Sequence, residues 1–282
     1  MAKRENTMVV QRTEQLSPHL VRVYLGGEGF DDFQASDDTD MYIKFIFPAD
    51  AAEGTKKPLV QKIRDKVSAE EPTIVRTYTV RRVDRSAREI AVDFVVHGDE
   101  GVAGPWAANA EPGEEIRFFG PGSGYRPKAD VDWHLLASDE AGLPALAAAL
   151  EAMPEGTVAK AFIEVAGADD EIALSAPDTA EIVWLHRGVS SDAITDERGG
   201  ANAPLVAAVL GAEWLPGSVQ VFIHGEAEVV MQNLRGYIRK ERGVPAANAS
   251  ISGYWRRGHT EEGFRQWKAS QRARDEKAGI SA

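Results

Sequence analysis

The hydrophobic pattern changes its period near residue 127, and this change constrains the fold more than any other feature of the chain. Upstream, apolar and polar residues alternate, as in 19–25 and 41–47, which is typical of strands buried on one face. Downstream, nearly continuous apolar runs alternate with helical patterns, which is typical of a parallel sheet covered on both faces. The apolar runs are 133–137, 158–165, 181–185 and 219–224, and the helical patterns lie around 142–153, 201–211 and 226–242.

This change predicts two domains, because a chain of 282 residues exceeds the usual size of a single core. The upstream strands are short and separated by turns, so we expect an antiparallel β-barrel of the Greek-key type over 1–127. Residues 128–282 are predicted to form a Rossmann-like α/β domain, and no G-x-G-x-x-G dinucleotide fingerprint is present. Further strands are expected over 73–82, 89–97 and 115–119, and a short helix over 58–67.

The composition limits the chemistry of the chain. It has no cysteine, which excludes disulfides, thiolate nucleophiles, iron–sulfur clusters and cysteine zinc sites. Its six histidines are scattered without an i, i+4 pair, so no metal site is expected, and any redox chemistry needs a bound organic cofactor. A net charge of −12 argues against nucleic acid as a partner. The lack of a long apolar segment argues against membrane insertion and for a cytoplasmic location.

Positive charge is concentrated near the end of the chain. Residues 235–277 contain eleven Lys or Arg and five Asp or Glu. Two interpretations of this basic C-terminal tail stay open: its charge attracts a small anion, or the tail is mostly a solvated amphipathic helix.

The run Arg76-Thr77-Tyr78-Thr79 is the strongest candidate for a binding site. Its β-branched and aromatic neighbours predict a strand, on which Arg76 and Tyr78 share a face and Thr79 lies at the neighbouring edge. A guanidinium, a flat ring and a hydroxyl together suit a ligand with a phosphate and a planar heterocycle. An edge strand with a solvated Arg and a half-buried Tyr is the alternative interpretation.

Other candidate sites lie in turns and loops. On the strand 89–97, Asp93 and His97 are predicted to face a ligand. The small residues of 98–109 suggest a loop that enters a short helix, whose exposed amides would bind an anion. In the second half, the turns 138–144 and 224–226 follow apolar strands, where parallel sheets bind their ligands.

The order of these features resembles the ferredoxin–NADP⁺ reductase superfamily, and within it the siderophore-interacting proteins, which are flavin-dependent ferric-siderophore reductases. The resemblance extends over essentially the whole chain. It rests on Arg76-x-Tyr78-Thr79, 92–98, Asp139-Glu140 with Leu143-Pro144, Gly225-Glu226 and 252–258.

The resemblance implies FAD as the cofactor and NADPH or NADH as the electron donor. Arg76 would hold the FAD diphosphate, Tyr78 would lie against the isoalloxazine, and Thr79 would approach the flavin N5, so that Tyr78 and Thr79 are the catalytic candidates. The remaining cofactor-binding candidates are Thr77, Asp93, Val95, His97, Ala103, Gly104, Asp139, Glu140, Gly225 and Glu226.

Two positions depart from the family pattern. Gly101-Val-Ala-Gly104 replaces the usual Gly-Pro-Ala-Ser, so the backbone amides of Ala103 and Gly104 would have to contact the phosphate. Ala141 follows Asp139-Glu140 where the family usually has Thr. Both changes bear on how tightly the cofactor binds.

The implied function is an FAD-dependent NAD(P)H ferric-siderophore reductase of iron acquisition, which releases iron as Fe(II) by single-electron transfer from reduced flavin. The substrate would be a ferric catecholate or hydroxamate chelate. Such chelates are often anionic, so a basic rim is expected, formed by Lys44, Arg126, Arg256 and Arg257. Three alternatives stay open: a general NAD(P)H–flavin reductase with another acceptor, a non-catalytic flavin-containing siderophore-binding protein, and ferredoxin as the donor.

Overall fold

The computed structural model describes residues 5–48, 73–98, 101–260, 263–264, 266–268 and 270. The helix predicted over 58–67 lies outside these residues. The chain divides into two compact units, Met1–Arg126 and Pro127–Ala282. In the part of the chain that the structure describes, no helix is long and apolar enough to cross a membrane.

The first unit is a closed barrel in which six described strands pair antiparallel in the order β1-β2-β5-β4-β3-β6. This confirms the predicted antiparallel barrel. Strand β1 was not predicted from the sequence, although Asn6, Met8 and Val10 alternate as buried residues along it. The strands are β1 (Glu5–Ser17), β2 (Leu20–Gly26), β3 (Tyr42–Pro48), β4 (Thr73–Asp84), β5 (Glu89–Val95) and β6 (Glu115–Gly122), and a 3₁₀ turn covers Glu28–Phe30.

Aromatic side chains form the centre of the barrel core. The ring centroid of Phe45 on β3 lies 5.4 Å from that of Phe94 and 5.9 Å from those of Trp106 and Phe118. Trp106 belongs to α1 (Ala103–Asn109), a short helix that buries its apolar face in the same cluster. Burial of each such ring stabilises the fold by about 1.5–3 kcal/mol, so these contacts fix β3, β5, β6 and α1 together.

The second unit contains a parallel sheet of five described strands in the order β11-β10-β7-β8-β9. Its central strands β7 and β10 are buried along their whole length, as the continuous apolar runs predicted. Each predicted strand and helix of this half is present, which confirms the Rossmann-like architecture. The elements are β7 (Trp133–Asp139), α2 (Leu143–Ala152), β8 (Ala159–Val165), β9 (Ala180–His186), α3 (Pro204–Gly211), β10 (Val219–Glu226) and β11 (Ala249–Trp255).

Two π-helical segments, Glu228–Leu234 and Tyr237–Glu241, lie between β10 and β11. Shorter 3₁₀ turns are Ala168–Asp170, Ser191–Ala193, Gly200–Asn202 and Ala246–Asn248.

Of the two interpretations of the basic tail, the helical one was wrong for 249–255, because this segment is the edge strand β11 of the sheet. It pairs with β10, and the buried His224 of β10 forms hydrogen bonds with Ser250 Oγ at 2.9 Å and Tyr254 Oη at 2.8 Å. Burial and, to a smaller extent, the charge of Lys268 lower the pKa of His224 to about 3, so the ring is neutral at pH 7. The polar residues of β11 therefore satisfy a buried imidazole, which a search for apolar periodicity does not detect.

Candidate functional site

The residues Arg76, Thr77, Tyr78 and Thr79 alternate between the two faces of β4. Arg76 pairs with Phe45 and Tyr78 with Ile43 on β3, and both partners are core residues. Because opposed residues of an antiparallel pair share a face, Arg76 and Tyr78 leave the strand on its core side. Thr77 is exposed beside Lys44, and Thr79 is buried beside Tyr42.

Arg76 and Tyr78 are both half-buried. The Tyr78 ring packs against Phe94, with 4.3 Å between the ring centroids, while the Arg76 guanidinium donates from Nη1 to the Val75 carbonyl at 3.2 Å. The Tyr78 ring, packed against Phe94, and the Arg76 guanidinium on the same face form a surface that a planar, phosphate-bearing ligand can occupy. The cofactor roles of these residues stay a prediction.

On β5, Asp93 lies in an ion pair that the sequence did not reveal. Its carboxylate accepts hydrogen bonds from Arg22 Nε at 2.6 Å and Arg22 Nη2 at 2.8 Å, and the residue is 3% exposed. Arg22 is its direct neighbour on β2. Asp93 therefore points at Arg22 rather than at open solvent, and an FAD contact of Asp93 stays a prediction.

His97 follows the end of β5 and lies next to the loop that enters α1. Its Nδ1 atom is buried, and it has no hydrogen-bond partner among the residues that the structure describes. An orphaned buried nitrogen requires a polar partner, so His97 fits the hydroxyl or phosphate oxygen of a bound FAD. Val95, also predicted to line this path, is half-buried at the end of β5.

Ala103 and Gly104, the first two residues of α1, are placed by packing. Ala103 is buried, and a Cβ on Gly104 would lie 3.2 Å from the Val95 carbonyl oxygen. The glycine that replaces the serine of the family pattern therefore lets α1 approach β5 closely. A phosphate contact through these two amides stays a prediction.

The four predicted rim cations belong to different units and mostly have acidic neighbours. In the first unit, Arg126 contacts Asp37 at 3.1 Å and Asp38 at 3.8 Å, and Lys44 Nζ lies 5.7 Å from the centre of the Tyr42 ring. The second unit holds the other two. Arg257 Nη2 contacts Asp196 at 2.7 Å, whereas the Arg256 guanidinium lies 4.6 Å from the Trp267 ring centre and 3.9 Å from Glu228.

In the second unit, Asp139 is the last residue of β7, and its hydrogen bonds connect the ends of β7, β10 and β11. Its Oδ1 accepts hydrogen bonds from the amides of Ala141 (2.9 Å) and Gly142 (3.2 Å) in the following turn. Its Oδ2 accepts from the Glu226 amide at the end of β10 and from Trp255 Nε1 at the end of β11, both at 2.7 Å. Burial and the charge of the neighbouring Glu140 raise the pKa of Asp139 to about 7.

Gly225 and Glu226 serve this arrangement directly. A Cβ on Gly225 would lie 2.8 Å from the Asp139 carboxyl carbon, so only glycine leaves room for the carboxylate. Glu226 accepts hydrogen bonds from the Val229 amide at 2.9 Å and from the Arg257 amide at 3.2 Å. Both residues thus shape the carboxyl edge of the sheet, and nucleotide contacts of either one stay a prediction.

Glu140, the next residue in the chain, belongs to a buried ion network around Arg187. Arg187 Nη2 donates to Glu140 Oε1 at 2.6 Å, and Nη1 donates to Glu164 Oε1 at 3.0 Å. Glu164 Oε2 in turn accepts from the Leu205 amide in the first turn of α3 at 2.9 Å. Burial raises the pKa of Glu164, and for Arg187 the two carboxylates outweigh burial and raise its pKa.

A shallow, open cleft lies at this edge of the sheet. Its lining includes Asp139, Glu226 and Trp255 together with three arginines, Arg187, Arg198 and Arg257. Arg187, Arg198 and Glu164 were not predicted from the sequence. The only signal for Arg187 was its position directly after an apolar strand, where parallel sheets place ligand-binding residues.

The family of this chain follows from comparison with known proteins. Residues 9–125 match the model of the siderophore-interacting FAD-binding domain, and residues 131–258 match that of the siderophore-interacting protein. The chain belongs to the siderophore-interacting protein family. This confirms the resemblance that the motifs suggested, and it identifies the barrel as the FAD-binding domain of that family.

Relatives with a named activity are similar over most of their length. The ferric vibriobactin reductase ViuB of Vibrio cholerae is 32% identical over 261 residues, which cover 90% of each chain. The NADPH-dependent ferric-chelate reductase of Escherichia coli K12 is 31% identical over 181 residues, 63% of this chain and 70% of the relative. The crystal structure of a siderophore utilization protein from T. fusca matches with a TM-score of 0.75 at 33% identity, covering 92% of this chain and 95% of that one.

The buried network predicts a pH-dependent loss of stability when Arg187 is replaced by methionine. Removal of one partner of a buried ion pair costs about 3–5 kcal/mol, and Glu164 would remain buried beside Glu140 without a cation. The folded pKa of Glu164 would then lie still further above its unfolded value. The loss should therefore be smaller at about pH 5 and grow as pH rises through that folded pKa, as measured by denaturant unfolding.

The matched control is Arg117→Met. Arg117 forms an exposed ion pair with Glu5 at 2.6 Å, and such pairs contribute about 1 kcal/mol or less. Equal losses for the two variants, or a loss for Arg187→Met that does not change with pH, would contradict the role of the buried network.

Proposed function

We propose that this protein is an FAD-dependent NAD(P)H ferric-siderophore reductase that releases iron as Fe(II). The observation that carries the proposal is the 32% identity, over 90% of the chain, with a protein named as a ferric vibriobactin reductase. The second reductase relative is named as NADPH-dependent, which favours NADPH over NADH or ferredoxin as the donor. We assign FAD binding to about 1–127 and nicotinamide nucleotide binding to about 128–282.

The first unit would hold FAD on the core side of β4. The Arg76 guanidinium supplies charge-assisted donors for the diphosphate, and the Tyr78 ring, supported by Phe94, supplies a flat apolar surface for the isoalloxazine. His97 Nδ1 would gain the polar partner that the described residues do not provide. Thr79, buried on the other face of β4, would act through its backbone rather than through a side chain directed at the ring.

The cleft of the second unit would hold the nicotinamide nucleotide. It lies at the carboxyl ends of parallel strands, where α/β sheets bind their ligands, and Arg198 and Arg257 bring positive charge to its lining. Arg187 does not serve as a phosphate ligand in this assignment, because its guanidinium is fully buried and bound to two carboxylates.

Bound FAD would supply two-electron acceptance from a nicotinamide and one-electron donation to a ferric ion. One NADPH would thus reduce two ferric chelates. Catecholate and hydroxamate oxygens are hard anions that hold Fe³⁺ more strongly than Fe²⁺, so reduction weakens the chelate. The protein itself need not bind iron, and no group of metal-binding side chains occurs among its described residues.

Attraction of an anionic chelate is assigned to Lys44, Arg126, Arg256 and Arg257. The acidic neighbours of Arg126 and Arg257 reduce the net field at those two residues. Lys44 lies on the outer face of β3 beside the exposed Thr77.

The decisive experiment is an assay with the purified protein. We expect flavin absorbance bands, bleaching of these bands by NADPH under anaerobic conditions, and reoxidation by a ferric siderophore together with a ferrous-trap signal. Fast reoxidation by quinones or free flavin with no ferrous signal would support a general flavin reductase instead. Quenching of tryptophan fluorescence by the siderophore without bleaching by NADPH, NADH or reduced ferredoxin would support a non-catalytic binding protein.

Arg76→Ala should lower the affinity for FAD. A hydrogen bond to a charged group contributes about 1.5–3 kcal/mol, so we expect the dissociation constant to rise by about tenfold or more. The measurement is FAD titration of the apoprotein followed by flavin fluorescence. Arg82→Ala is the matched control, because Arg82 is exposed on the same strand, and equal affinities for the two variants would contradict the assignment.

Charge reversal of Lys44 should weaken the use of an anionic ferric chelate without loss of flavin. We expect the KM for the chelate to rise severalfold at low ionic strength, and the effect to shrink with added salt because exposed charges are screened. Lys240→Glu makes the same change in net charge at an exposed residue of the second unit. An equal rise in KM for both variants would show that only net charge matters.

A further inference from the structure

Asp139 accepts as many hydrogen bonds as an ionised carboxylate can. Such a group has about four lone-pair sites on its two oxygens, and four N–H donors occupy them, two on each oxygen. Three donors are backbone amides, from Ala141, Gly142 and Glu226. The fourth is the indole Nε1 of Trp255, and it is the only donor on a side chain.

We propose that Asp139 is a positioning residue for Trp255: its ionised carboxylate holds the indole in the wall of the cleft, and a proton on Oδ2 releases it. The proton would occupy a lone pair that now accepts a hydrogen bond, so one donor must leave. The amides are held by the turn after β7 and by the end of β10. The half-exposed indole can rotate away.

The surroundings prevent the carboxyl group from moving instead. A Cβ on Gly225 would lie 2.8 Å from its Cγ, and a Cβ on Gly142 would lie 2.5 Å from the His224 carbonyl oxygen. The backbone is thus packed closely around Asp139 on the side of β10 and in its own turn. Because the carboxyl group is confined, a change of its protonation state must be accommodated by Trp255.

The charged groups around Asp139 come from each element packed on this edge. Acidic groups are Glu140, Glu164 on β8 and Glu226 on β10, and basic groups are Arg187 after β9, Arg198 in the cleft and Arg257 after β11. Burial is the largest influence and Glu140 the next, and together they raise the pKa of Asp139 to about 7, while Trp255 and Arg187 act in the opposite direction. The indole is therefore held above about pH 7 and released below it.

The consequence for ligand binding rests on the proposed function. Trp255 lines the cleft that we assign to the nicotinamide nucleotide, and a fixed indole gives a planar ring a preformed surface. Release of the indole should raise the KM for NADPH and affect kcat less. The orientation of Trp255 itself can be measured without any substrate.

The test is a pH titration of the Trp255 indole Nε1–H resonance by NMR. The chain has six tryptophans, and the resonance absent from Trp255→Phe identifies the one of interest. In the unsubstituted protein we expect this resonance to shift with an apparent pKa near 7. In Asp139→Asn we expect it to have its low-pH position at every pH, because an amide oxygen has only two acceptor sites.

Asp132→Asn is the matched control. Asp132 lies just before β7, at the opposite end of the strand, and is exposed, and its Oδ2 accepts hydrogen bonds from Ser218. The Trp255 resonance of this variant should titrate as in the unsubstituted protein. If Asp139→Asn does not fold, the titration of the unsubstituted protein still tests whether the Trp255 indole responds to pH near 7.

A Trp255 resonance that stays constant between about pH 8 and pH 5.5 in the folded protein would overturn the proposal. So would an unchanged titration in Asp139→Asn. A kinetic assay separates this result from the proposed function: with NADPH as substrate, we expect the KM to rise by about tenfold from pH 8 to pH 6 and to lose this dependence in Asp139→Asn. A normal NMR titration with no NADPH oxidation would support the positioning role and contradict the proposed function.

Discussion

The second unit depends on satisfying the acidic side chains that its parallel sheet buries at one edge. Asp139, Glu140 and Glu164 are each at most 7% exposed, and an ionised carboxylate without partners is very unfavourable in such a place. Arg187 and five N–H groups supply the partners, and these donors come from β7's turn, β9, α3, β10 and β11. These hydrogen bonds and ion pairs thus connect the ends of the five described strands of this sheet, and the residues that make them line the cleft.

In the barrel, by contrast, the candidate site lies against apolar side chains of the core. Phe45 and Phe94 are fully buried, and Tyr78 covers them with its ring. Arg76 lies two residues before Tyr78 on the same face of β4 and is half-buried. A rigid ring and a nearby cation are therefore products of the same strand pairing that builds the core, so a ligand bound here would need little reorganisation of the protein.

The architecture was predictable because it depends on periodicity, whereas the contacts of the candidate sites depend on tertiary pairing. The alternating strands and the apolar runs identified the barrel and the sheet. In contrast, β1 and β11 are rich in polar residues, and neither strand was predicted. The polar residues Ser250 and Tyr254 of β11 form hydrogen bonds with a buried histidine, which periodicity does not reveal. The sequence could show that Asp93 and Glu140 are polar residues at strand positions, but only the fold reveals that Arg22 and Arg187 oppose them.

The adjacent residues Asp139 and Glu140 have different partners because they end the central strand of the sheet. Asp139 is the last residue of β7, and Glu140 is the first residue of the turn that follows it. The Asp139 carboxylate accepts hydrogen bonds from β10 and β11, whereas Glu140 accepts them from Arg187, which follows β9. A single carboxylate could not satisfy donors on both sides. The paired acids are thus accounted for by the position of β7 between the two halves of the sheet, and a direct role in proton transfer is not needed to explain why both are present.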